Sequence, residues 1–186
     1  MNTKAQLLDR AENLARQRGF DGFSFADLEA AVGIRKASIH YHYPTKGDLS
    51  FALMTRYADV FAGRLHAISQ DHATAGARLL AYIDLYRQAL DGGRSLCLCV
   101  ALSVTQNALP AASQAALDHF HDTVTVWLEH VFRLAQTDAT IMAVTIPRAE
   151  AAAALAQVEG AQIMGRAARN PARFEAAVST LRARTL

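Results

Sequence analysis

Residues 24–49 read SFADLEAAVGIRKASIHYHYPTKGDL and decide the fold of the chain. Ser24 lies three residues before Asp27, and Thr45 lies three residues before Asp48. This is the spacing of a capping box, in which the first side chain accepts a hydrogen bond from the backbone N–H of the third residue after it. Each pair therefore predicts that a helix starts there.

Gly33 lies between the two capping boxes, where a tight turn would require a positive φ. The pattern predicts helices over 24–32 and 35–41 on either side of this turn. The second helix and the residues after it are rich in groups that can meet phosphates and bases. They are Arg35, Lys36, Ser38, His40, Tyr41, His42 and Lys46. We expect a helix–turn–helix whose second helix enters the major groove of DNA.

The composition predicts an all-α fold of about nine helices. Of the 186 residues, 52% are hydrophobic and 19% are charged, so the chain can bury a sizeable core. Prolines are few, and no alternating β-branched segment is bounded by hairpin turns. The apolar segment 95–109 predicts a central buried helix, and the segment 137–147 predicts a helix end and a loop without a partner strand.

The charge balance does not by itself indicate nucleic acid. The net charge is +2, and residues 1–48 hold seven Lys and Arg against six Asp and Glu. Attraction to phosphate would therefore depend on local placement. Two cysteines make no disulfide framework, and neither a signal peptide nor an apolar run of about 18 residues is present, so we expect a soluble cytoplasmic protein without a membrane segment.

Residues 19–49, GFDGFSFADLEAAVGIRKASIHYHYPTKGDL, resemble the DNA-binding region of the TetR family (TetR/AcrR-type) of bacterial transcription regulators. The resemblance is strong over roughly 5–55 and weaker beyond, where it rests on helix count and length. It implies a three-helix DNA-binding domain over 1–48. It also implies a helical domain over 49–186 that binds a small molecule and forms a homodimer.

The resemblance also implies the DNA contacts. The matching positions are Ser24, Arg35, Lys36, Ala37, Ser38, His40, Tyr41, His42 and Lys46. Residues 35–38 would face the bases and the backbone, and Lys46 would clamp a phosphate at the start of the next helix.

Two positions depart from the family pattern. His40 stands where a phosphate-contacting tyrosine is usual, which would make binding sensitive to pH near neutrality. Glu29 stands four residues before the turn glycine, where a small residue is usual. Either Glu29 points outward or the two helices cross differently.

An effector pocket would lie between helices of the second domain. Its candidate lining is Tyr82, Tyr86, Cys99, Ser103, Trp127 and Met164, with Gln106 or Gln162 as further polar contacts. Ordinary core packing is the alternative for each of these residues. The small residues of 148–170 and the last helix, to residue 186, predict a homodimer interface, with packing inside one chain as the alternative.

The predicted function is a homodimeric repressor that a small-molecule effector releases from a palindromic operator. One alternative is a repressor that senses oxidants or electrophiles through Cys97 and Cys99, although these are more often apolar fillers in a buried helix. Another is a helical enzyme or carrier, for which no Ser–His–Asp set, GxGxxG loop or paired carboxylates are recognisable. We expect no cofactor, and no metal, because histidines two residues apart diverge on a helix.

Overall fold

The computed structural model describes residues 3–104 and 109–186, and in these ranges the chain is helical, as predicted. The described residues form nine α-helices and one short 3-10 helix at Asp91–Gly93. The α-helices are α1 (Thr3–Arg18), α2 (Phe25–Val32), α3 (Lys36–His42), α4 (Lys46–Asp71), α5 (Ala75–Ala89), α6 (Leu98–Ser103), α7 (Ala111–Asp138), α8 (Pro147–Ala167) and α9 (Pro171–Arg182). The all-α prediction is confirmed.

The chain divides into two compact units. Unit 1 is drawn from Met1–Asp59 and Leu98–His119, and unit 2 from Val60–Cys97 and Phe120–Leu186. Unit 1 is therefore discontinuous in sequence, since residues from the middle of the chain join the N-terminal helices. The boundary of the DNA-binding domain at residue 48 stays a prediction.

Unit 1 has a core built from apolar side chains of α1 to α4 and α6. Leu7, Leu28, Leu49 and Leu53 are fully buried, and so is nearly all of α6. Helix α6 contacts α1. It starts later than the predicted central helix because residues 95–97 are coil, and residues 105–108 of that prediction lie outside the described residues.

The first turn of α4 is closely packed against the residues that begin α7. A Cβ placed on Gly47 would lie 2.7 Å from Cγ of Pro110, so a larger residue would clash there. The hydroxyls of Ser50 and Ser113 are 2.7 Å apart, and both side chains are fully buried. Residue 47 is thus restricted to glycine by its surroundings rather than by its backbone angles.

Unit 2 has an aromatic core formed by α4, α5 and α7. The ring of Phe61 lies 5.8 Å from that of Tyr86 and 5.1 Å from that of Phe120. In the same unit, Asp138 accepts hydrogen bonds from the N–H groups of Ala75 (2.7 Å) and Thr140 (3.0 Å). The end of α7 thereby caps the start of α5.

The segment 139–146 is a loop, and its partner is the end of the chain. Ile141 and Thr185 form an isolated antiparallel bridge. The N–H of Met142 donates to the carbonyl oxygen of Arg184 at 2.8 Å. A spacing of more than 40 residues explains why the local pattern gave no sign of this pairing.

No helix within 3–104 or 109–186 combines the length and the apolar character needed to cross a membrane.

Candidate nucleic-acid interface

Helix α2 starts at a complete capping box. The Asp27 N–H donates to Ser24 Oγ at 3.3 Å, and the Ser24 N–H donates to Asp27 Oδ2 at 2.8 Å. The Ser24 hydroxyl also donates to this carboxylate at 2.6 Å. These hydrogen bonds, first the one from the hydroxyl, hold the pKa of Asp27 below its ordinary value. Thr45 and Asp48 form the same arrangement at α4, with a Thr45 N–H to Asp48 Oδ2 distance of 2.9 Å.

The turn between α2 and α3 is centred on Gly33 and is braced by Glu29. Gly33 has φ +77°, and its N–H donates to the Glu29 carbonyl oxygen at 2.8 Å, which closes α2. The Glu29 carboxylate accepts a hydrogen bond from the Lys36 N–H at 3.1 Å, at the first residue of α3. Arg35, the N-cap residue of α3, makes no side-chain capping hydrogen bond. Glu29 therefore does not simply point into solvent, but reaches across the turn to the next helix.

Helix α3 buries one side chain and exposes most of the others. Ile39 is fully buried, whereas the residues around it face outward. The exposed predicted contacts are Arg35, Lys36, Ala37, Ser38, His40 and Tyr41. A helix whose exposed side chains include two cations and several hydrogen-bonding groups has the width and the chemistry to meet a DNA groove.

The end of α3 is shaped by aromatic contacts. Nδ1 of His40 lies 3.0 Å from the Pro44 carbonyl oxygen, which can only accept, so we assign the proton to Nδ1. The His40 ring also meets Phe25 edge-on, at 5.0 Å between centroids. Tyr41 is 84% exposed, and its ring contacts that of His42.

The Lys46 ammonium faces the turn that precedes α2. Nζ donates to the Phe23 carbonyl oxygen and lies 4.8 and 4.7 Å from the ring centroids of Phe20 and Phe23. Burial lowers the pKa of Lys46, although the carboxylates of Asp21 and Asp27 act in the opposite direction. In this arrangement Lys46 holds the aromatic turn in place. Its role as a phosphate contact stays a prediction.

Unit 2 brings together three of the residues predicted to contact an effector. The Tyr82 ring centroid lies 5.2 Å from that of Tyr86 and 5.8 Å from that of Trp127. The indole N–H of Trp127 donates to Ser69 Oγ at 2.9 Å. Both tyrosines are buried and Trp127 is half-buried. Phe61, which extends this cluster, was missed because its helical periodicity is the same as that of any core residue.

The other predicted effector contacts lie elsewhere. Cys99 and Ser103 belong to unit 1, where the Ser103 hydroxyl donates to the Cys99 carbonyl oxygen at 2.9 Å. Met164 is 55% exposed on α8. Gln106 lies outside the described residues.

Gln162 makes structural hydrogen bonds inside unit 2. It is fully buried; its Oε1 accepts from the Cys97 N–H at 2.7 Å, and its Nε2 donates to the Tyr86 carbonyl oxygen at 2.6 Å. Cys97 and Cys99 are also buried, with at most 1% of each residue exposed. An oxidant would reach neither thiol without local opening of the fold. In the part of the chain that the structure describes, no three His, Cys, Asp or Glu side chains are grouped to hold a metal ion.

Comparison with known proteins identifies the family. The family model described as "Bacterial regulatory proteins, tetR family" matches residues 7–53, which contain α2, the Gly33 turn, α3 and the start of α4. Residues 7–53 of this chain therefore match the TetR family.

TetR-family proteins also match over longer ranges. The HTH-type transcriptional repressor NemR of Escherichia coli K12 is 29% identical over 123 residues, which are 63% of this chain and 60% of NemR. The chain thus spans less than two thirds of this curated relative. A TetR-family regulator from Agrobacterium tumefaciens has a TM-score of 0.91 at 27% identity, covering 98% of this chain and 96% of that one. AibR, solved with isovaleryl coenzyme A and operator DNA, has a TM-score of 0.76 at 21% identity, covering both chains completely, and so shares the fold.

Proposed function

We propose that this TetR-family chain is a homodimeric repressor that binds a palindromic DNA operator and leaves it when a small molecule binds unit 2. The exposed face of α3 carries this proposal. Arg35, Lys36, Ser38 and His40 are all exposed there, whereas Ile39 is buried. NemR is named as a repressor, which supports the direction of the regulation.

The proposed DNA contacts separate into two classes. Lys36 and Ser38 would contact base edges in the major groove, while Ser24 and Arg35 would contact phosphates. Lys46 remains a proposed phosphate contact, but its ammonium would have to leave the Phe23 carbonyl oxygen to make it. A phosphate contact adds about 0.9 to the slope of log affinity against log salt, so the salt dependence can decide the role of Lys46.

The aromatic cluster of unit 2 supports an apolar or aromatic effector. Tyr82, Tyr86 and Trp127 offer adjacent rings with hydroxyl and indole groups, the combination typical of small-molecule sites. AibR, which has the same fold, was solved with both a coenzyme A ester and operator DNA. The effector would act through its different affinity for the DNA-binding and the released arrangements of the dimer.

The outer faces of α8 and α9 support a homodimer. Helix α8 exposes small and apolar side chains, including Ala156, Ile163 and Met164, and it also packs on α9. An exposed apolar stripe of this kind fits a second copy of the same helices, which would give a four-helix bundle. Two reading helices on a dimer would meet half-sites about 34–36 Å apart.

The first experiment selects a preferred duplex from a random-sequence pool and measures its affinity at several salt concentrations. We expect the wild-type chain to enrich a palindrome. Replacing Lys36 with alanine should change the enriched sequence as well as the affinity. Arg64→Ala is the matched control, because it removes one exposed positive charge from the part of α4 in unit 2. If the wild-type chain enriches no sequence, the proposed function is wrong.

The second experiment tests the effector site. Trp127 is the single tryptophan of the chain, so its fluorescence reports on the aromatic cluster. We expect titration with 8-anilinonaphthalene-1-sulfonate, a small apolar probe, to quench this emission by energy transfer and to lower affinity for the enriched duplex. A Tyr82→Ala variant should bind the probe differently, whereas Met164→Ala, on the exposed face of α8, should not. Equal effects of both variants would place the site outside the cluster.

A further inference from the structure

Glu29 contacts both helices of the candidate interface. Its carbonyl oxygen accepts the Gly33 N–H at 2.8 Å and closes α2, and its carboxylate accepts the Lys36 N–H at 3.1 Å and opens α3. One residue therefore fixes both sides of the turn. The second hydrogen bond spans seven residues, so it is not part of a local capping motif.

Helix α3 depends on a hydrogen bond from outside the helix, whereas the neighbouring helices α2 and α4 do not. It has seven residues, and helices this short are unstable on their own. Helices α2 and α4 begin with their own capping boxes, whereas Arg35 at the start of α3 makes no capping hydrogen bond with its side chain. The Glu29 carboxylate takes the place of that missing cap.

The capped amide belongs to a residue that is itself proposed to read DNA. Lys36 is exposed, and Arg35, Ala37 and Ser38 lie in the same turn. Hydrogen bonds to base edges are strongly directional, so a change in the tilt of this turn changes which bases its side chains can reach.

We infer that Glu29 is a positioning residue, which sets the orientation of α3 through the Lys36 amide and thereby determines which DNA sequence is preferred. The inference rests on the proposed DNA-binding function. In this inference, Glu29 acts because its side chain is long enough for the carboxylate oxygen to accept the hydrogen bond from the Lys36 amide. The negative charge of Glu29 would act differently, by repelling phosphates of every sequence equally.

Two conservative variants separate the effect of the Glu29 side-chain length from the effect of its negative charge. Glu29→Gln keeps an acceptor oxygen at the same distance along the side chain and removes the charge. Glu29→Asp keeps the charge and shortens the side chain by one methylene, so the oxygen falls short of Lys36. Asp59→Asn is the matched control, since it removes one exposed negative charge from α4 in unit 1.

The measurement is the ratio of affinities for the duplex enriched by the wild-type chain and for a random-sequence duplex of equal length, at three salt concentrations. We expect Glu29→Asp to lower this ratio about tenfold, as loss of a hydrogen bond to a charged group can. Glu29→Gln and Asp59→Asn should stay within about twofold of wild type. Thermal unfolding by circular dichroism verifies that each variant is folded.

A second readout follows the hydrogen bond without DNA. In Glu29→Gln, the Lys36 amide should stay protected from hydrogen exchange, with a chemical shift close to that of wild type. In Glu29→Asp, its chemical shift should change and its hydrogen exchange should become faster. The Asp27 amide, which is bound to Ser24, should change in neither variant.

The outcomes are distinct. A wild-type ratio in Glu29→Asp, or a tenfold loss in Glu29→Gln, overturns the inference while leaving the proposed function intact. An unchanged Lys36 amide in Glu29→Asp also overturns it. If the wild-type chain enriches no sequence, the proposed function fails, and the Lys36 amide still decides whether Glu29 holds α3.

Discussion

Helices α2 and α3 are neighbours in the same helix–turn–helix, yet they are started in different ways. Helix α2 is capped by Ser24 and Asp27, which are three residues apart, whereas α3 is capped by Glu29, seven residues before Lys36. Unit 2 repeats the second arrangement over a longer distance. There Asp138 caps the first residue of α5 from 63 residues away.

This difference separates two kinds of information in the chain. A local cap depends on two side chains and the helix itself, so it forms as soon as the helix does. A remote cap depends on the fold being assembled, and in return it fixes how two elements lie against each other. Helix α3 belongs to the second kind.

The largest effect is expected at the single buried side chain of α3. Ile39→Ala should lower the free energy of unfolding by about 3 kcal/mol, because Ile39 is fully buried and its removal leaves a cavity. Urea unfolding measures this change. Tyr41→Ala, at a residue 84% exposed, should change stability by less than about 0.5 kcal/mol. A comparable loss in both variants would mean that α3 is not held by this one contact.

The remote cap of α5 comes next. Asp138→Asn should cost about 2 kcal/mol at pH 7, because the carboxylate accepts hydrogen bonds from the Ala75 and Thr140 amides. Burial would raise the pKa of Asp138, but these hydrogen bonds outweigh it and hold the pKa below 3.8. The contribution is therefore present above about pH 4 and is lost as the pH falls further. Unfolding at pH 7, 5 and 3 should show the two proteins converging, and a constant difference would contradict this explanation.

A local cap should matter less. Thr45→Ala removes the side chain that accepts the Asp48 N–H at 3.1 Å, and we expect a loss of about 1 kcal/mol. Thr74→Ala at the start of α5 is the informative partner, since α5 keeps its remote cap from Asp138. Its loss should be smaller than that of Thr45→Ala. A larger loss would mean that the remote cap cannot substitute for the local one.

The smallest effect, a gain, is expected where α3 ends. The Tyr43 hydroxyl is buried and has no hydrogen-bond partner among the described residues, so Tyr43→Phe should stabilise the protein by up to about 1 kcal/mol. Burial raises the pKa of Tyr43 above 10.0, more than the charge of Arg56 lowers it.

Tyr43 should also affect how the stability of the protein changes at alkaline pH. The neutral phenol is favoured in the folded state, so wild-type stability should fall as the pH rises above 10, when the unfolded chain can ionise. Tyr43→Phe should lack this part of the decline. Equal declines in the two proteins between pH 9 and pH 11 would show that Tyr43 is not the group responsible.

The features that were predictable from sequence are the ones that depend on near neighbours. The capping boxes at Ser24 and Thr45, the turn at Gly33 and the helical class all follow from spacings of four residues or fewer. These features can be predicted from a short stretch of sequence because the hydrogen bonds that form them join residues within that stretch.

The features that were not predictable join distant residues. The sequence does not show that the Lys46 ammonium faces Phe20 and Phe23, or that Glu29 reaches Lys36. It likewise does not show that Tyr82 and Tyr86 are buried in the core of one compact unit while Cys99 lies in the other. Each of these facts requires knowing which elements meet after folding.

The close approach of Gly47 to Pro110 has a consequence for chimeras in which the N-terminal helices of one protein replace those of another. A chimera joined after residue 59 would carry Gly47 and Ser50 but would take their packing partners from the recipient protein. Residues 98–119 would have to be transplanted as a second segment for the Ser50 and Ser113 hydroxyls to stay together. In this chain, the segments that must be exchanged together are those that pack together, and they are not continuous in the sequence.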